Sequence, residues 1–465
     1  MLHTQTPLAV VAAAMLCLQG AHAQVVINEI HYDPDLKSEH VEFIELHNGG
    51  ATAVDLSGWQ FDSGIEYTFA AGVMIGPGEF LVITENKQHF DAKFGSVFVG
   101  GEKAFDQWHG GTLNNDGESV SLIDSEGELV DEVDYQATFP WPIAANGDGV
   151  SMELINPSLD NDLGGSWRAA TGAPSPSKTN SVFADNAAPQ MRQVKHSPKM
   201  PTTSEASVIT VKVSDPDNVT TVELIYQVVE PGNYVQSLLA KSSSVLKSSP
   251  LDPREPNPEF EDQANWETVA MADDGANGDE TADDGVYTVT LPAQSQNRTL
   301  VRYRISATDG KGDSARVPYA DDESRNFAYF VYDGIPAYEA SERSTHPDGA
   351  PYTHPVEVMT SLPVYFLLTD EDEFDQCIGY TSSDQVSSSN FNARSAFNWS
   401  GTFVYDGVVY DHIKYRLRQR NDRYGRNGKR SMRFRFNRGH NAQFHDHWGN
   451  PYPTKWRTLN TAKLN

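Results

Sequence analysis

The chain is written in short apolar runs of strand length, broken by Gly, Asn, Asp and Pro, and this rhythm points to β architecture. Residues 25–30, 40–48, 56–59, 67–69, 80–84, 119–124 and 129–135 form a first series, punctuated by Gly76-Pro77-Gly78 and Asn114-Asn115-Asp116-Gly117. Residues 208–213, 221–226, 285–290 and 301–307 form a second. In the last of these Val301, Tyr303, Ile305 and Ala307 alternate inward, which predicts a sandwich strand with one wet face. Trp59, Trp141 and Trp167 are expected as core or rim aromatics. A third unit opens at Pro363-Val364-Tyr365-Phe366-Leu367-Leu368. At 465 residues the chain exceeds one ordinary core, and about two to four domains follow.

Two stretches rich in Pro, Ser and Ala read as linkers, and a Ser/Pro-rich insertion at 242–258 reads as a mobile loop. The resulting division is a leader at 1–23, a β-sandwich at 24–180, a linker at 181–190, a second sandwich at 191–335, a linker at 336–355 and a third unit at 356–465. The leader follows from the apolar run 8–18 and the small-x-small triplet Ala21-His22-Ala23, which predicts cleavage before Gln24 and export. Cys377 is then the one cysteine left, so no internal disulfide is available, and the residue is expected to be small and half-buried. No other segment is long and apolar enough to span a membrane.

The formal charge is −29, which argues against specific nucleic-acid binding by the whole chain. The stretch 411–465 reverses that sign, with fourteen Lys/Arg against three Asp/Glu. At its start Val409, just before the stretch, and Ile413, Tyr415 and Leu417 within it alternate against His412, Lys414, Arg416 and Arg418. Met432, Phe434 and Phe436 alternate against Lys429, Ser431, Arg433 and Arg435. Asp406-Gly407 precedes them as a two-residue hairpin signal. The pattern predicts a hairpin-built sheet with an apolar face and a basic face suited to phosphate or another polyanion; a merely solvated face is the alternative.

The loop Asp273-Asp274-Gly275-Ala276-Asn277-Gly278-Asp279-Glu280-Thr281-Ala282-Asp283-Asp284-Gly285 is dense in carboxylates, with Asp273, Asp274, Asp279, Asp283 and Asp284 as candidate calcium ligands. It lacks the glutamate and flanking helices of an EF-hand, and a solvated acidic hairpin stands as the other reading. His440, His445 and His447 near Asp446 lack a defined third ligand, and exposed loop histidines are expected there.

Ile27-Asn28-Glu29-Ile30, Glu42-Phe43-Ile44-Glu45-Leu46 with Asn48, Val54-Asp55-Leu56-Ser57-Gly58-Trp59, Gly78-Glu79-Phe80-Leu81-Val82-Ile83, Asn115-Asp116-Gly117, Trp141-Pro142 and residues 149–157 occur in an order that resembles the lamin-tail domain. That resemblance implies an immunoglobulin-like sandwich with a binding or adhesive role. Tyr415-Arg416-Leu417-Arg418-Gln419-Arg420 and Gly428-Lys429-Arg430-Ser431-Met432-Arg433-Phe434-Arg435-Phe436 resemble the opening strands of the CotH kinase family. This implies a partial α+β kinase-like N-terminal lobe, with Lys429, Arg430, Arg418 and Arg433 as candidate ATP phosphate contacts. The family's catalytic and Mg²⁺-binding acidic residues lie further downstream than residue 465, so ATP and Mg²⁺ belong only to a completed domain and this stretch alone is expected to be inactive.

The expected fold is mainly β: two immunoglobulin-like β-sandwiches followed by the partial kinase-like lobe. The expected function is that of a secreted, bacterial, multimodular binding or adhesion protein with a cell-surface or matrix protein or polysaccharide as partner. Two alternatives stand beside it: an ATP-dependent secreted kinase, and non-catalytic docking of acidic polysaccharide or nucleic acid by the basic face.

Overall fold

The β-branched run Val25–His31 is buried along its whole length, because it is covered on both faces. In the computed structural model, which describes residues 24–95, 105–340, 352–361, 363–379, 397–418, 431–446 and 448–461, it lies inside a six-stranded sheet. The spatial order is Trp167–Ala169, Met152–Leu154, Val25–His31, Phe43–Asn48, Phe80–Thr84 and Phe105–Gln107. A four-stranded sheet of Leu129–Gln136, Gly117–Ile123, Gln60–Ser63 and Tyr67–Thr68 faces it. Ile27, Leu46, Val120, Leu122 and Trp167 fill the space between. The stretch 56–59, expected as a strand, is a turn between Val54–Asp55 and Gln60–Ser63. Gly58 adopts φ +76° there, which breaks the extended backbone.

The other face of the six-stranded sheet is covered in two ways. A helix over Lys87–Phe94, absent from the sequence reading, starts where the Asn86 side chain accepts from the His89 amide. It presses Phe90 and Phe94, one turn apart, edge-on against Phe43. The Pro/Ser-rich stretch around 175–182 lies across the same face as a strap. Its donors run to buried glutamates: the Ser175 amide to Glu29 Oε1, the Ser177 amide to Glu45 Oε2, and the Ser181 hydroxyl to Glu153 Oε2. The first two residues of the 181–190 stretch therefore bond back onto the first sandwich, through Ser181 and the Val182 amide.

In the second unit Gln190–Ser197, Ser207–Ser214 and Val286–Leu291 make one sheet. Glu267–Ala270, Val219–Val229, Leu300–Asp309, Ser314–Val317 and Phe327–Phe330 make the other. Val301, Tyr303, Ile305 and Ala307 point into the core between them, as their alternation predicts. The opposite face of that strand is wet only toward its end, where Ser306 and Thr308 are partly exposed; against expectation, Arg302 and Arg304 are buried too. Part of the 242–258 insertion forms the helix Ser243–Ser248, and a second short helix, Pro258–Glu261, follows it. The insertion is packed: Leu246 is fully buried among the side chains of the third unit, and Phe260 is buried beside Arg302 and Arg304. Within the 336–355 stretch, Tyr338–Ala340 pairs with Tyr352–His354.

The third unit is a five-stranded antiparallel sheet in the order Tyr365–Leu368, Trp399–Tyr405, Val408–Leu417, Met432–Arg435 and Thr458–Asn460. Asp406 and Gly407, at φ +49° and +72°, make the tight hairpin that their sequence signals. The helix Glu371–Gly379 packs beside the second and third strands, where Trp399 donates to the Gln376 side chain. Cys377, expected half-buried, is fully buried in this core. The molecule is mainly β, with several sheets.

Candidate functional site

The basic segment begins with an acid that holds two units together. Asp411, at the middle of Val408–Leu417, is enclosed by Arg302 of the second unit, whose Nε donates to Oδ2 at 3.0 Å and whose Nη2 donates to Oδ1 at 3.3 Å. Asn326 and Thr402 donate to the same carboxylate. Arg302 is 0% exposed and also donates to Gln227 and the Val235 carbonyl, while its guanidinium stacks over Tyr234 and Phe260. Burial alone would raise the Asp411 pKa, but the Arg302 charge and then His412 hold it well below the usual carboxylate range. Arg254 from the insertion adds a second ionic link, to Glu373 of the helix Glu371–Gly379. Sequence reasoning missed this junction. Its signal was an Asp inside a basic strand and two arginines on a strand that needed one wet face.

On the outer face of the third sheet Lys414 stands opposite Arg435 and Arg416 opposite Arg433. Arg418 continues this row beside Ser431, to whose carbonyl its amide donates. Like charges directly opposed across strands are destabilising, so this face carries an electrostatic cost. Lys414 is relieved by Glu323 at 2.8 Å. Arg457 is lowered from its ordinary value by burial and by Arg435 and Arg438. Arg418 and Arg433 thus share one face, as the alternation predicts; Lys429 and Arg430 lie outside the described residues.

The acidic loop brings three of its five candidates together. Single carboxylate oxygens of Asp273, Asp279 and Asp284 lie within 4.8 Å of one another. Asp274 instead turns its carboxylate to the Ala276 amide and is exposed, and Asp283 is an exposed residue in the left-handed region at φ +59°. Asp279 Oδ2 accepts the Gly275 amide and Asp273 accepts the amides of Asp284 and Gly285. Lys212 donates to the Asp284 carbonyl, leaving the carboxylate to the Val286 amide. The loop folds back over the sheet, where the Thr290 hydroxyl donates to the Asn277 carbonyl. The histidines do not assemble: His440 pairs with Asp322, His445 stacks on Tyr405, and His447 is outside the described residues.

Residues 19–137 match the Lamin Tail Domain family. The matched region holds the whole four-stranded sheet and four strands of the six-stranded one, and Met152–Leu154 and Trp167–Ala169 complete the latter beyond it. No curated protein matches the chain. Among solved structures, it is similar to the adhesin FdeC of Escherichia coli, at 12% identity over 67% of this chain and 97% of that one, with a TM-score of 0.15. It is similar to the adhesin InvE of Yersinia pseudotuberculosis, at 11% identity over 83% and 92%, TM-score 0.16. Trypsin-activated alpha-2-macroglobulin from Escherichia coli is a third, at 10% identity over 68% and 28%, TM-score 0.17. Superpositions this loose carry no argument about fold or role. Among the described residues no helix is long and apolar enough to cross a membrane.

Proposed function

We propose that this protein is an extracellular, multimodular binding protein of adhesive type, displaying the lamin-tail region on a rigid β platform. The observation that supports this most directly is the buried Arg302–Asp411 contact, which fastens the second and third units into one body instead of leaving them on a flexible tether. Export rests on the apolar run 8–18 and Ala21-His22-Ala23, and the partner class is a cell-surface or matrix protein or polysaccharide. Immobilised full chain should retain at least one member of a panel of matrix proteins and acidic or neutral polysaccharides in biolayer interferometry. Retention of none of them sinks the reading.

A second reading, an ATP-dependent kinase of CotH type, is supported by the five-stranded antiparallel sheet with one helix against it, which suits a kinase N-terminal lobe. In it Arg418 and Arg433, with Lys429 and Arg430, would hold the nucleotide phosphates, and a clamp of this kind needs Mg²⁺ and its acidic ligands before it transfers anything. Labelled ATP with Mg²⁺ or Mn²⁺ and casein tests it on the longest open frame that contains this chain. Labelling that does not exceed that of a Lys429→Ala variant removes it. The opposed Lys414–Arg435 and Arg416–Arg433 pairs favour a third reading, non-catalytic docking of acidic polysaccharide or nucleic acid. Heparin retention unchanged after Arg416, Arg418, Arg433 and Arg435 become Ser would dismiss it.

A further inference from the structure

We propose that Asp273, Asp279 and Asp284 bind one Ca²⁺ against the outer face of the second unit, with the Thr288 hydroxyl turned toward the same site. This is independent of what the lamin-tail region binds. Three observations carry it. The three carboxylate oxygens fall within 4.8 Å of one another. Oxygens on opposite sides of a Ca²⁺ ion are separated by about 4.6–5.2 Å, twice its usual bond length, so all three fit one coordination sphere. Next, Asp279 is 8% exposed, yet its carboxylate accepts a backbone amide, and among the described residues none of the three carboxylates forms an ion pair. A buried carboxylate without a cation is costly.

The third observation stands outside the acidic cluster. Thr288 is 5% exposed and its Oγ1 is buried without a hydrogen-bond partner. Its neighbours Tyr287 and Val289 pack into the sandwich core, so strand alternation turns Thr288 to the opposite, loop-covered side. There it lines a cleft of about 500 Å³ together with Asp279, Glu280 and Asp284, and with Lys195 and His196. An orphaned hydroxyl in a cleft lined by carboxylates is answered by a cation or by a water of its hydration shell. Every donor is an oxygen, and the Gly-rich loop is pliable; both suit Ca²⁺ over the stricter octahedron of Mg²⁺. Of the five aspartates that composition offers, the fold thus selects three and adds a threonine.

The test uses Tb³⁺ as a luminescent stand-in on the full chain. Tyr287 adjoins Thr288 in the strand Val286–Leu291, which makes it the sensitiser. Tyrosine-excited Tb³⁺ emission that Ca²⁺ displaces is expected, with affinity reduced at least about tenfold in Asp284→Asn and unchanged in Asp274→Asn. Asp284 is exposed, so its variant decides the matter even where Asp279→Asn fails to fold. Absence of Ca²⁺-displaceable emission, or emission that survives in Asp284→Asn as in wild type, overturns the site.

Discussion

Glu29, Glu45 and Glu153 stand side by side on three neighbouring strands, Glu29 paired across to both others, and all are fully buried. Among the described residues no Lys or Arg bonds to any of them; their donors are Ser151, Ser175, Ser177, Ser181, Asn28 and the Val182 amide. Burial, then the neighbouring carboxylates, raises Glu29 well above its ordinary value, and burial pushes Glu45 up to about 8. Both folded values exceed the unfolded ones. The stabilisation is therefore complete below about pH 4.5 and is lost as pH rises through 8. The melting temperature of the wild-type chain should fall between mildly acidic and mildly alkaline pH. Glu29→Gln should flatten that fall, because it places a neutral amide at the orphaned Oε2 while keeping the Oε1 acceptor. A variant whose melting curve tracks wild type across that range contradicts this assignment. Ile27-Asn28-Glu29-Ile30 was legible as part of a lamin-tail strand, but not that its carboxylate is dry. Burial on that face depends on a strap nearly 150 residues away.

At the scale of elements, the 242–258 insertion departs most from what its composition suggests. Ser favours loops because its hydroxyl competes with regular backbone hydrogen bonding, and Pro because it lacks the N–H and fixes φ; that local preference holds, since the helix is short. What composition does not report is docking. Leu246 enters the third unit's core, and Arg254 bonds to Glu373, Gln236 and the carbonyls of Leu238 and Leu239. Leu246→Ala should cost about 2–5 kcal/mol, read as a lower denaturant midpoint in the fluorescence of Trp399, which belongs to the same core. A midpoint equal to that of wild type would mean the insertion is not anchored. The helix Lys87–Phe94 escaped notice for a related reason. With two buried aromatics and one alanine among polar residues, it is too short to announce a period. By contrast the basic strands were readable from residue 413 onward, where alternation of period two settles which residues share a face; before it a bulge with His412 at φ +58° breaks the pattern, so Tyr410 joins Ile413 in the core and Val409, expected there, packs on the opposite side.

For the whole molecule, the Arg302–Asp411 pair decides whether the second and third units unfold together. Removing one partner of a buried ion pair strands the other charge, at a cost of about 3–5 kcal/mol. Asp411→Ala should therefore split a shared calorimetric transition into two, with the third unit melting first, and a single unshifted transition would show that this pair is not what couples the units. Since the Asp411 value is depressed, its contribution is present at neutral pH and disappears only as pH falls through that low folded value. By itself the sequence determined the β class, every strand it offered in the two sandwiches except 56–59, the Asp406-Gly407 hairpin and the sharing of a face by Arg418 and Arg433. All of these follow from periodicity and turn chemistry within a few residues. Only the tertiary structure decided which charged groups are dry, which three aspartates converge, and that Asp411 binds Arg302. Those outcomes depend on contacts between residues far apart in the chain, where local pattern carries no information about what will cover a face.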